Sequence, residues 1–149
     1  MKIILCITAQ AAYEVAPNVL TRHIRKKPSS IVGLATGRTM EAIYKILYLQ
    51  NGLNFSDITT FNLDEYVGLS CTDTHSYRYY MQQHLFDLVN TRTDLYPNGV
   101  ASFPEAETQA YEEIITAKGG IDLQLLGIGE NGHIGFNEPL SSLMSLTMP

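Results

Sequence analysis

Short apolar runs alternate with stretches of helical periodicity along this chain, and that alternation constrains its fold more than any other feature. A strand followed by a helix, repeated several times, is typical of a mostly parallel sheet with helices on both faces. The pattern therefore predicts an α/β fold of the Rossmann-like type. The predicted strands span residues 2–7, 30–35, 58–63 and 121–127, and the predicted helices span residues 9–26, 39–50, 76–89 and 105–118. Pro17 is expected to kink the first helix or to mark a late start.

Length and composition fit one domain and exclude several kinds of partner. The chain has 149 residues, of which 45% are hydrophobic, and its formal net charge is -5. That charge argues against a broad nucleic-acid or anionic-membrane surface. Any phosphorylated ligand would then have to be bound by a local group of residues. The apolar start is too short for a membrane span and is predicted to be a buried strand. Cys6 and Cys71 are expected to be free thiols, which favours a cytoplasmic protein.

Three polar segments follow predicted strands, where ligands bind to parallel sheets. The first is ATGRT, in which the chain turns and enters a helix, so that free N–H groups and the positive helix end can bind a phosphate. The predicted phosphate-binding residues are Thr36, Gly37, Arg38 and Thr39. An ordinary helix cap with a turn glycine is the alternative.

The second segment, DEY, places Asp64 and Glu65 directly after a strand. A carboxylate that is partly desolvated there has a raised pKa and is a better general base. Neighbouring residues at a strand end point to opposite sides, so we expect one of the two to face the site. A solvated loop pair is the alternative.

The third segment, GENGHIGFNEP, follows the last predicted strand. Residues 127–132 satisfy the GxGxxG dinucleotide pattern, but HIGFNEP is a poor start for a long helix, which disfavours a nucleotide site. Asn131, His133, Asn137 and Glu138 form a polar group in which a His beside a carboxylate can shuttle protons. The spacing is wrong for a metal site, and a hydrogen-bonded loop His is the alternative.

Three motifs together resemble the glucosamine-6-phosphate deaminase family: FNLDEYVGL, THSYRYYM and LLGIGENGHIGFNEP. The resemblance implies an enzyme that opens an amino-sugar 6-phosphate ring, moves a proton from C2 to C1 and releases ammonia, without a metal or an organic cofactor. It implies that Asp64 is the base and His133 the ring-opening acid/base. Glu138 then orients His133, and Asn131 stands where some members have Asp and others Asn.

Two departures from the family pattern keep further hypotheses open. Arg38 replaces a glycine of the family's phosphate-binding turn, which puts the accepted sugar in doubt and leaves a galactosamine 6-phosphate enzyme open. Family chains also continue past FNEP to a phosphate-binding Arg and Lys, so residues 1–149 are expected to be an incomplete single α/β domain. An exposed sheet edge then favours a homo-oligomer. A non-catalytic sugar-phosphate-binding module and an inactive truncated remnant also stay open as hypotheses.

Overall fold

The computed structural model describes residues 2–142, which form a parallel four-stranded sheet with helices packed on it. The sheet order is β3-β2-β1-β4, and each neighbouring pair is parallel. The fold predicted from the alternating pattern is therefore confirmed. In chain order the elements are α1 (Ala9–Lys26), β1 (Ile31–Leu34), α2 (Arg38–Tyr48), β2 (Thr59–Asn62), α3 (Tyr77–Met81) with a π-helical turn (Gln82–Phe86), β3 (Thr93–Leu95), α4 (Pro104–Ala117) and β4 (Leu123–Gln124).

Helix α1 begins earlier than a proline-limited helix would. The side chain of Thr8 caps it by accepting a hydrogen bond from the Ala11 N–H group. The helix then runs through Pro17, which is buried, so the proline does not mark a late start. Buried Leu20 and Ile24 pack α1 into the core.

The core lies where α2 and the π-helical turn cover the sheet. Tyr44 and Leu47 of α2 meet Ile58, Met81 and Leu85, and all five side chains are almost fully buried. The Tyr44 hydroxyl donates to the carbonyl of Ala35 at the end of β1. This bond fixes α2 against the strand end from which the candidate phosphate turn leaves.

The predicted strand at residues 2–7 is wrong. Residues 2–6 have no regular secondary structure, and Ile3 and Leu5 are 69% and 92% exposed. A strand needs a neighbour that pairs with its backbone groups, and no strand of the described sheet runs beside this segment. Its apolar side chains therefore face solvent.

Further boundaries differ from the predicted ones because the elements are short. Strand β3 has no counterpart among the predicted strands, since its three residues lie in a polar, turn-rich stretch, yet it pairs in register with β2. Strand β4 has two residues rather than seven predicted ones. The helical stretch predicted at residues 76–89 ends at Phe86 after the π-helical turn.

Candidate active site

A cavity of about 550 Å³ opens at the carboxyl ends of β1, β2 and β4. It brings together the three polar segments that follow the predicted strands. The candidate residues that line it are Thr36, Gly37, Arg38, Thr39, Asp64, His133 and Glu138. Asn131 contacts both His133 and Glu138 from the same loop.

The turn after β1 lets a ligand approach its backbone closely. Gly37 has φ 119° and ψ 161°, a conformation that favours glycine, and it stands at the N-cap of α2 without a capping side chain. The first turn of α2 therefore presents its N–H groups and the positive end of the helix to the cavity. Tyr80 holds this turn, because its hydroxyl donates to the Gly37 carbonyl over 2.8 Å.

Asp64 follows β2 and faces the cavity. Burial, and after it the neighbouring charge of Glu65, raises the pKa of its carboxyl from 3.8 to about 6. Gly135 lets the loop after β4 pass close to it, since a β-carbon there would lie 3.1 Å from Asp64 Oδ2. Asp64 is thus a carboxylate whose affinity for protons suits a general base near neutral pH.

Glu65 turns away from the cavity. Its carboxylate accepts hydrogen bonds from the Ser76 hydroxyl and from the backbone N–H groups of Tyr66, Tyr77 and Arg78. Of the two adjacent acids, Asp64 alone is among the residues that line the cavity. The alternation expected at a strand end thus separates the two carboxylates.

His133 belongs to a relay of three side chains. Its Nδ1 lies 2.6 Å from Asn131 Oδ1, and Asn131 Nδ2 donates to Glu138 Oε2 over 2.7 Å. Because the Asn131 oxygen is an acceptor, Nδ1 of the neutral ring carries the proton and Nε2 is left to accept one. Glu138 therefore contacts Asn131, which in turn orients His133.

Gly129 makes room for the imidazole of His133. A β-carbon at Gly129 would lie 2.2 Å from Cε1 of that ring, closer than two such atoms can approach. The backbone closes the same turn, with the Gly129 N–H group donating to the His133 carbonyl over 2.9 Å. Within the GxGxxG pattern of this loop, Gly129 thus leaves space for the His133 ring, and no helix begins there.

Tyr66, Tyr77 and Phe136 form an aromatic wall of the cavity, for which the sequence motifs predicted no role. The centroid of the Tyr66 ring lies 4.9 Å from the centroid of the Tyr77 ring and 5.0 Å from that of the Phe136 ring. The Tyr66 and Tyr77 hydroxyls lie 3.2 Å apart, and Thr36 is hydrogen-bonded to Tyr77. The sequence signal that could have identified these three residues is their position, because each ring lies in or beside a motif that carries a candidate residue.

Comparison with known proteins decides the family of this chain. Residues 7–135 match the sequence profile of the family described as glucosamine-6-phosphate isomerases/6-phosphogluconolactonase. The chain belongs to this family. The resemblance that the three motifs carry is therefore confirmed.

Similar members are named as deaminases. The chain is 47% identical to a glucosamine-6-phosphate deaminase of Geobacillus sp. (strain WCH70), which aligns with 99% of the chain and 61% of the relative. It is 48% identical to the glucosamine-6-phosphate deaminase of Cellvibrio japonicus (strain Ueda107), over 99% of the chain and 58% of the relative. The chain thus spans about three fifths of the length of these curated relatives.

Solved structures of the family share the fold. A glucosamine-6-phosphate deaminase described as monomeric superposes with a TM-score of 0.93 at 43% identity, over 97% of this chain and 62% of that protein. The 6-phosphogluconolactonase from Trypanosoma brucei superposes with a TM-score of 0.75 at 18% identity, over 94% of this chain and 64% of that protein. The second likeness supports the fold alone.

Metal-binding and membrane-spanning features are absent from residues 2–142. Within them no group of three or more His, Cys, Asp or Glu side chains is arranged to hold a metal ion. No helix in that part of the chain is long and apolar enough to cross a membrane. Cys6 and Cys71 are both free, as the sequence predicts.

Proposed function

We propose that this chain isomerises and deaminates an amino-sugar 6-phosphate, converting glucosamine 6-phosphate and water to fructose 6-phosphate and ammonia. The observation that carries this proposal is one cavity shared by a half-buried carboxylate, an imidazole relay and an anion-binding turn. These groups suit proton transfer on a small phosphorylated substrate. Relatives that are named glucosamine-6-phosphate deaminase support the choice of substrate.

Asp64 has the role of base. Its carboxylate accepts the C2 proton of the open-chain sugar and returns it to C1, while a proton passes from the C2 ammonium group to the C1 oxygen, which leaves an iminium group at C2. Water adds to this carbon, and ammonia leaves to give the ketose. A carboxyl with a pKa of about 6 can both take and return a proton near neutral pH, whereas an ordinary Asp is too weak a base.

His133 has the role of ring-opening acid/base. Nε2 of its neutral ring takes the proton of the C1 hydroxyl, and the protonated ring can return that proton to the ring oxygen. Asn131 holds Nδ1, and Glu138 holds Asn131, so the negative charge of Glu138 stabilises the imidazolium through the relay.

The phosphate belongs at the turn between β1 and α2. N–H groups of the first turn of α2 and the hydroxyls of Thr36 and Thr39 are the donors. Arg38 also lines the cavity and adds a positive charge where the family turn has glycine. In a chain of net charge -5, this local group of donors supplies the attraction for the anion.

The test is an assay of the 149-residue chain with glucosamine 6-phosphate, in which ammonia and fructose 6-phosphate are measured together. Galactosamine 6-phosphate tests the other sugar isomer, and unphosphorylated glucosamine tests the turn. Asp64→Asn should lower turnover by about 100- to 10,000-fold with little change in binding. Binding without turnover in the unmutated chain would contradict the enzyme and favour a sugar-phosphate-binding module or an inactive remnant.

A second measurement isolates the proton step. Solvent hydrogen exchange at C2 of the substrate should require Asp64, whereas substrate that is already in the open-chain form should partly bypass His133→Gln. Exchange at an unmutated rate in Asp64→Asn would show that another group is the base. We also propose a cytoplasmic location and a homo-oligomer, although the solved deaminase relative is described as monomeric.

A further inference from the structure

Glu65 connects two parts of the cavity wall without touching the cavity. Its Oε1 accepts from the N–H groups of Tyr66 and Tyr77 over 2.9 and 3.0 Å. Its Oε2 accepts from the Ser76 hydroxyl over 2.8 Å and from the Arg78 N–H group over 3.0 Å. All four partners donate, which suits a carboxylate and leaves neither oxygen without a hydrogen bond.

These bonds join the end of β2 to the start of α3. Glu65 directly precedes Tyr66, and its remaining partners lie 11 to 13 residues further along the chain. The same side chain therefore sets the positions of Tyr66 and Tyr77, whose rings pack at 4.9 Å in the aromatic wall. Phe136 completes that wall from the loop that carries His133.

We propose that Glu65 is a positioning residue for the proposed reaction, which seats the aromatic wall of the cavity and keeps a fixed negative charge beside Asp64. This inference rests on the proposed function. Glu65 contacts no reacting atom, since it does not line the cavity, and it acts through Asp64, Tyr66 and Tyr77.

The charge of Glu65 bears directly on the proposed base. Burial is the larger cause of the raised pKa of Asp64, and Glu65 is the second. Tyr77 and Tyr111 interact with Asp64, and the other charged or titratable groups that line its cavity are Arg38, Tyr66, His133 and Glu138. Burial raises the pKa of Tyr77 and of Tyr111 above the usual value, so these two phenols are neutral when Asp64 titrates.

The test is Glu65→Gln in the 149-residue chain, read by the carbon-13 chemical shift of the Asp64 carboxyl carbon during a pH titration. Glutamine has nearly the same size but carries no charge, so the pKa of Asp64 should fall from about 6 toward 3.8. Glu14→Gln is the matched control, because it removes one charge from an exposed position of α1 and should leave this pKa unchanged.

A second readout covers the positioning role. Glutamine cannot accept at both side-chain atoms, so the amide protons of Tyr77 and Arg78 should exchange faster with solvent in Glu65→Gln. An unchanged Asp64 pKa or unchanged amide exchange in the folded variant would overturn the proposal. If circular dichroism shows that Glu65→Gln is unfolded, Glu65→Asp replaces it. Exchange of the Tyr77 and Arg78 amide protons at the rate of the unmutated chain would then also overturn the proposal.

These readouts need no turnover. A chain that does not release ammonia, yet loses the raised Asp64 pKa in Glu65→Gln, would contradict the proposed function and support the role of Glu65. A chain that releases ammonia but keeps an unaltered Asp64 pKa in Glu65→Gln would support the proposed function and contradict the role of Glu65. In an active chain, Glu65→Gln should also shift the acid limb of the pH profile of kcat to lower pH.

Discussion

At the scale of single residues, the burial that raises the pKa of Asp64 also weakens the fold at neutral pH. Its folded pKa of about 6 lies above the unfolded value of 3.8, so the folded chain binds the Asp64 proton more tightly. This contribution to stability is fully present below pH 3.8 and is lost as the pH rises through about 6. At pH 7 the folded chain therefore holds a partly desolvated negative charge that the unfolded chain solvates freely.

We predict that Asp64→Asn raises the free energy of unfolding at pH 7 by about 1 to 3 kcal/mol, because asparagine has no charge to desolvate. Urea unfolding at pH 7 and at a pH below 3.8 measures the change. The gain should vanish at the lower pH, where Asp64 is protonated in both states. Asp57→Asn, at an exposed position, is the control and should give no gain. An equal gain at both pH values would contradict an origin in ionisation.

The seat of His133 gives a second residue-scale prediction. Gly129→Ala should displace the imidazole, because the added methyl would lie 2.2 Å from Cε1. Gly127→Ala is the matched control in the same loop, since its nearest neighbour is the flexible end of Met40 at 3.3 Å. The measurement is the NMR chemical shift of the His133 ring, which should change in Gly129→Ala and stay near its unmutated value in Gly127→Ala. Equal responses would show that Gly129 does not seat the ring.

At the scale of elements, the sequence predicts the parts of the fold whose signals are local. Apolar runs locate β1 and β2, and helical periodicity locates α1, α2 and α4 within one or two residues at most ends. These local sequence patterns fail where pairing with a neighbouring strand decides whether a segment forms a strand. Residues 2–7 look like a strand but have no neighbour in the described sheet, whereas β3 is polar and short but lies beside β2.

The candidate site is predictable to the same extent. Polar segments after strands locate Asp64, His133 and the turn at Gly37, because parallel strands bring their carboxyl ends to one edge. The aromatic wall and the role of Glu65 are not predictable, since they depend on contacts of the segment after β2 with the start of α3, 11 to 13 residues away, and with Phe136 in the loop after β4. No periodicity encodes such contacts.

One phenol of α4 holds the ends of β2 and β3 together. The Tyr111 hydroxyl of α4 lies 2.8 Å from the Asn62 carbonyl of β2 and 3.0 Å from the Leu95 carbonyl of β3. We predict that Tyr111→Phe lowers the free energy of unfolding by about 1 to 2 kcal/mol, because it leaves buried carbonyls without this donor. Tyr13→Phe, on α1, is the control. Urea unfolding measures both variants, and equal stabilities would contradict the role of the hydroxyl.

At the scale of the whole molecule, the apolar N-terminal segment, residues 3–7, is an exposed surface that favours association. Leu5 is 92% exposed and Ile7 is fully exposed, and no strand among residues 2–142 pairs with their segment. We predict that the 149-residue chain self-associates as its concentration rises, because association removes these side chains from water. The double variant Leu5→Lys, Ile7→Lys should shift the population toward monomer, whereas Gln10→Lys, on the exposed side of α1, should not. Sedimentation velocity across a range of concentrations gives the masses. A chain that stays monomeric throughout would contradict both this prediction and the proposed homo-oligomer, and equal association of all three proteins would place the contact on another surface.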